Sequence, residues 1–113
     1  MIFIIGGAYQ GKTTYAQEYM HMHCGQDCTL IPQYHLKVKE QLRAGLDPME
    51  EAEKLLADGS PHVIVSDEIG YGIVPTDAFE RTYREHSGRV NCYFAAQAEQ
   101  VIRVVCGVGM RIK

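Results

Sequence analysis

Residues 1–17 read "MIFIIGGAYQGKTTYAQ". An apolar run, Met1 to Ile5, enters Gly6-Gly7 and, after Gly11, meets Lys12, Thr13 and Thr14. A run apolar on both faces reads as a buried strand of a parallel sheet. From Lys12 a helix is expected, with Tyr15, Ala16, Tyr19 and Met20 at helical spacing and an end near Cys24-Gly25. Between strand and helix, Gly6, Gly11, Lys12 and Thr13 satisfy G-x-x-x-x-G-K-S/T. The spacing has a physical reason. Loop N–H groups converge on phosphate oxygens, glycines allow the dihedrals, and the helix adds its positive end. The segment Gly6, Gly7, Ala8, Tyr9, Gln10, Gly11, Lys12, Thr13, Thr14 is thus a candidate binding loop for ATP or GTP. Lys12 would reach the β- and γ-phosphates and the Thr13 hydroxyl would bind Mg²⁺. The competing reading is a plain strand-turn-helix junction with an incidental lysine.

The rest of the pattern argues for the loop. "HVIVSDE" (62–68) is a second buried strand ending in two acids, and "VIRVVCG" (101–107) a third. "CTLIPQ" (28–33) is a short strand stopped by Pro32, and "VGMRIK" (108–113) a short edge strand. Helices are expected between them. "YHLKVKEQLRAG" (34–45) carries Leu36, Val38 and Leu42 amid charge, with Gly45 as a stop. "DPMEEAEKLLADG" (47–59) has Asp47 as N-cap, Pro48 first, acids in the first turn and Gly59 after the end. "TDAFERTYREHSG" (76–88), capped by Thr76 or Asp77, stops at Gly88, and "RVNCYFAAQAEQ" (89–100) is a further helix. "IGYGIVP" (69–75) is a glycine-rich loop. Strands alternating with helices predict an α/β fold: a P-loop NTPase-like three-layer sandwich with a mainly parallel sheet, in shortened form. Residues 1–113 are expected to form a single domain, as the length allows.

Ligands of such sheets bind at the carboxyl ends of strands. Asp67 and Glu68 stand there and join Lys12 as candidate catalytic residues. Thr13 and Asp67 are the candidate Mg²⁺ ligands. One acid would order the metal shell and the other accept a substrate proton; the pattern does not say which.

Net charge is −3 and no basic run occurs, so nucleic acid and anionic membrane surfaces are not expected partners. The opening apolar run is too short for a signal-peptide core, and no stretch approaches a membrane span. A cytoplasmic protein is expected, with Cys24, Cys28, Cys92 and Cys106 reduced.

Three stretches together narrow the class: "GGAYQGKTTYA" (6–16), "SDEIGYGIVP" (66–75) and "GRVNCYFAAQAEQVIRVVCGVGMRIK" (88–113). They resemble the adenosylcobinamide kinase/adenosylcobinamide-phosphate guanylyltransferase family of cobalamin biosynthesis. The resemblance implies phosphoryl transfer from ATP or GTP to the aminopropanol hydroxyl of adenosylcobinamide. It then implies GMP transfer from GTP through a guanylylated histidine, and a homo-oligomer, since the family forms trimers. Gly6 to Thr14 match its phosphate loop, Glu68 the acid of its "EVGxGIVP" block, and Asn91 the asparagine after its "GRV".

There are departures. Only Ile31 to Pro61 stands where the family has a long middle region with much of the corrinoid contact surface. Gln41 and Leu42 occupy the place of the nucleophilic histidine. Cys92-Tyr93 and Glu99-Gln100 replace Gln-Arg and Asp-Glu. Phosphoryl transfer keeps its parts, whereas guanylyl transfer lacks its histidine at the matching place. A nucleotide-binding or regulatory module without turnover is the alternative. A partner subunit would then cover the sheet surface that a missing layer leaves apolar.

Other residues read more plainly. His35 is a surface histidine at a helix start. His21, His23, Cys24 and Cys28 match no standard zinc spacing, and Gly25 breaks the helix face they would share. Cys106 reads as a small core residue in a buried strand, and Tyr15, Tyr19, Tyr83 and Tyr93 as packing residues. Tyr9 either shields the nucleotide or lies on the surface. "EEAEKLL" (50–56) is a solvated helix face.

Overall fold

The apolar runs lie side by side in one sheet. The computed structural model describes residues 1–24, 27–69 and 77–113. Its strands are β1 (Ile2–Gly6), β2 (Thr29–Ile31), β3 (His62–Asp67), β4 (Gln100–Val105) and β5 (Val108–Arg111). Its helices are α1 (Lys12–His23), α2 (Tyr34–Arg43), α3 (Pro48–Leu56) and α4 (Ala78–Gln97). Among the described residues the sheet order is β2-β3-β1-β4-β5, with only β5 antiparallel to its neighbour. This is the α/β, P-loop NTPase-like architecture with a mainly parallel sheet.

The pleat explains why the central strands carry apolar residues on both faces. Successive side chains point to opposite faces. Ile2 and Ile4 of β1 join Val63, Val65, Ile102 and Val104 under α1, around Ala16. Phe3, Ile64 and Val101 face the other way, toward Tyr34, Val38, Ala52, Tyr83, Val90 and Phe94 of α2, α3 and α4. The second core is aromatic at its centre. Phe94 meets Tyr34 edge-on at 4.8 Å between centroids and Phe3 at 5.7 Å. Tyr15 and Tyr19 pack against the α1 core and Tyr93 against the other, as the pattern predicts.

Caps follow the sequence in two helices. The Asp47 carboxylate accepts the Met49 N–H at 3.1 Å to start α3, and Asp77 accepts the Glu80 N–H at 3.1 Å to start α4. Thr76, the other candidate cap, lies outside the described residues, as do residues 70–75 of the glycine-rich loop.

Three expectations are corrected. Gly88 does not stop a helix; α4 runs through it from Ala78 to Gln97. The reason is the buried stripe Tyr83, Ser87, Val90, Phe94, which keeps helical period across the glycine. An interior glycine costs only about 1 kcal/mol, which such packing outweighs. Cys106 is exposed, not core. With Gly107 it forms the two-residue turn between β4 and β5, both at positive φ (51° and 75°), as tight hairpins require. Leu36 is exposed, and α2 instead buries Tyr34, His35 and Val38. Among the described residues no helix is long and apolar enough to cross a membrane.

Candidate active site

The register of the sheet puts the site together. Gly6 ends β1 beside Asp67, which ends β3. The chain then loops through Gly7–Gly11 and enters α1 at Lys12. A side chain at Gly6 would strike the Val104 carbonyl oxygen, so only glycine lets the loop leave the sheet here. Gly11 takes φ 83°, and a Cβ there would touch Gly107 Cα at 3.4 Å.

The hairpin turn holds the loop from the far side. Gln10 accepts the Gly107 N–H through its carbonyl at 2.8 Å and the Cys106 N–H through Oε1 at 2.7 Å. A Cβ at Gly109 would run into the Tyr15 ring, so β5 packs flush on α1. The "GVG" of the C-terminal stretch is therefore a support for the Gly6–Thr14 loop. Sequence reading missed this, because the contacts join residues about a whole chain length apart; the paired glycines of Cys106–Gly109 were the available signal.

Lys12 is buried, and its Nζ lies 2.7 Å from Asp67 Oδ1 and donates to the Gly7 carbonyl at 2.5 Å. A cavity of about 350 Å³ opens there, lined by Ala8 to Thr14, Gln33, His35 and Asp67. Tyr9 stands at its rim, fully exposed, with φ 61°. For a side-chain-bearing residue that backbone state is strained.

The two acids part company. Asp67 turns to Lys12 and the cavity, whereas the Glu68 carboxylate turns to Arg103 at 3.4 Å and its N–H goes to the Gly6 carbonyl at 2.8 Å. Glu68 is not among the residues lining the cavity.

His35, expected on the surface, is buried in this site. Its Nδ1 accepts the Asp67 main-chain N–H at 3.1 Å, and its Nε2 lies 3.4 Å from Asp67 Oδ2. Burial lowers its pKa, with Asp67 opposing and Lys12 and Lys39 assisting. The ring's proton then sits on Nε2, facing the carboxylate. Nearby, burial pushes Tyr83 up to about 12, with Asp67 and Glu80 adding to it.

These residues fit a triphosphate with Mg²⁺. A glycine cradle, a buried ammonium, and hard oxygen donors on Thr13, Thr14 and Asp67 suit phosphate and a small hard cation. Elsewhere, Cys24 and Cys28 pack against the α1 core; burial, then a hydrogen bond with Cys24, pushes Cys28 to about 11. His21 is exposed, and His23 stacks on Tyr19 at 4.7 Å. Among the described residues no three His, Cys, Asp or Glu side chains gather to hold a metal.

A family model described as cobinamide kinase / cobinamide phosphate guanyltransferase matches residues 26–112. Two curated relatives, both called bifunctional adenosylcobalamin biosynthesis protein CobU, come from Salmonella typhimurium and Escherichia coli. Each is 47% identical over 51 residues, which is 45% of this chain and 28% of the relative. The matched stretch thus spans little more than a quarter of these relatives' length. The family-model match begins after the glycine loop, so the loop's reading stands on its geometry.

Proposed function

The chain belongs to the cobinamide kinase / cobinamide phosphate guanyltransferase family, and on that premise we propose that it transfers the γ-phosphoryl group of Mg²⁺-bound ATP or GTP to the hydroxyl of adenosylcobinamide. The observation that carries this reading is Lys12, buried at the end of the parallel strands between the Gly7 carbonyl and Asp67. On nucleotide binding its ammonium would exchange those partners for the β- and γ-phosphate oxygens. The loop N–H groups from Gly7 to Thr14 would hold the phosphates in line with the acceptor. Thr13 and Asp67 would hold Mg²⁺, which neutralises the charge developing on the transferred group. The acceptor oxygen bonds to the γ-phosphorus as the bond to the β–γ bridging oxygen breaks. Glu68 is the remaining acid for the acceptor's proton, a role that requires its carboxylate to leave Arg103 and turn into the cavity.

The same geometry argues against guanylyl transfer through His35. One ring nitrogen is taken up by the Asp67 amide and the other carries the proton, so neither lone pair is free to attack an α-phosphorus. We also assign this chain to a homo-oligomer. Val108, Met110 and Ile112 are exposed apolar side chains at the β5 edge, which a second copy would cover.

A second reading is a nucleotide-binding module without turnover. It is favoured by the short β2–β3 connection, where only α2 and α3 stand. Purified protein with Mg²⁺, ATP or GTP and adenosylcobinamide decides between them. Phosphorylated corrinoid supports the kinase. Binding without product, lost in Lys12→Ala, supports the module. Absence of any thermal stabilisation by nucleotide overturns both.

A further inference from the structure

Asp67 sits where β3 outruns its neighbour. β2 pairs with β3 only from Thr29↔His62 to Ile31↔Ile64, so the last three residues of β3 have no strand on that side. His35 stands in for the missing strand. Gln33 takes φ 52° and opens α2, whose first turn brings the imidazole back to the strand end. There Nδ1 accepts the Asp67 N–H, an amide otherwise left at an open edge, while Nε2 faces Oδ2 of the same residue. One side chain thus hydrogen-bonds the backbone of Asp67 and stands beside its carboxylate. With Oδ2 held toward His35, Oδ1 is left for Lys12 at 2.7 Å and for the cavity.

We propose that His35 is a positioning residue for the phosphate site: as the Nε2–H tautomer it fixes the Asp67 carboxylate so that one oxygen faces Lys12 and the metal position. This rests on the nucleotide reading of the Gly6–Thr14 loop. It gives the one buried histidine lining this cavity a role other than that of nucleophile. A plain structural histidine would satisfy the amide alone; the second contact, to Oδ2, is what orients the acid. Groups that orient a metal-binding carboxylate act on metal affinity through it.

Two measurements test this. The first uses ¹⁵N-histidine-labelled protein without nucleotide. The proposal expects His35 Nδ1 to be unprotonated and hydrogen-bonded to the Asp67 amide, with Nε2 protonated. A proton on Nδ1 overturns it. The second is calorimetric titration with the imido analogues of ATP and GTP, with Mg²⁺ and again in EDTA. His35→Leu should weaken binding about tenfold or more with Mg²⁺ and leave binding in EDTA unchanged. His35→Asn, which keeps an acceptor near the Nδ1 position but has no donor at the Nε2 position, should satisfy the amide and still lose most of the Mg²⁺-dependent affinity. Equal losses in both conditions, no loss at all, or recovery of wild-type affinity by His35→Asn overturns the proposal. If wild type binds neither analogue, the nucleotide reading falls and this one with it. If wild type binds and the variants do not depend on Mg²⁺, this one falls alone.

Discussion

The two ends of the Lys12–Asp67 axis are built differently from the α2–α3–α4 layer beneath them. At the strand ends, position is set by backbone geometry. Gly6 clears the Val104 carbonyl, Gly11 and Gly107 meet at positive φ, and Gln10 latches the hairpin through two hydrogen bonds. In the helix layer, position is set by apolar volume, with Phe94 fully buried among Phe3, Tyr34 and Tyr93. The difference teaches that the chain spends its specific, hard-to-substitute contacts on the Lys12–Asp67 end. Apart from Gln33 and His35, which line the cavity, its short β2–β3 connection mostly packs against the core.

Substitutions should therefore separate stability from nucleotide affinity according to region. Phe94→Ala should cost about 3–5 kcal/mol of stability, measured by urea unfolding, through the cavity it leaves. The folded fraction should bind nucleotide with unchanged affinity, and a matching affinity loss would break the contrast. Gly109→Val drives a side chain into the Tyr15 ring and should cost about 1–3 kcal/mol. Here the hairpin shifts off Gln10, so nucleotide affinity should fall as well; an affinity equal to wild type would show the latch to be incidental.

Asp47→Ala removes the α3 cap and should cost about 1 kcal/mol with no effect on nucleotide binding. The smallest effect is alkaline. Tyr83 ionises near 10 in the unfolded chain but only at about 12 when folded. The folded state keeps the proton longer, so stability falls as pH rises from 10 toward 12. Tyr83→Phe should flatten that decline in a pH series of melting temperatures, and an unchanged slope would assign the decline to other groups.

The legible part of this molecule was the part written in short-range pattern. Met1–Ile5 and Val63–Val65 are apolar on both faces because helices cover both faces, and that needs no knowledge of partners. Asp47-Pro48 and Asp77 announce helix starts by local chemistry. What failed to show depends on distant contacts. Gly88 looked like a stop, since only the core opposite Val90 and Phe94 reveals that the helix continues. Cys106 looked apolar inside an apolar run, yet the antiparallel return of β5 makes it a turn residue. His35 looked like surface because nothing local announces that Asp67, on another strand, turns back to it. The division of labour between Asp67 and Glu68 needed the pleat together with Arg103 on β4.

The central claim is that the Gly6–Thr14 loop, with Lys12 and Asp67, is a working triphosphate site. Calorimetric titration of Mg²⁺ with ATP or GTP into wild type and Lys12→Ala tests it most directly. The account predicts saturable one-site binding by wild type and a loss of about a hundredfold or more in Lys12→Ala, the charged contact being worth about 3 kcal/mol. Equal affinities in the two proteins, or no binding by wild type, would contradict it.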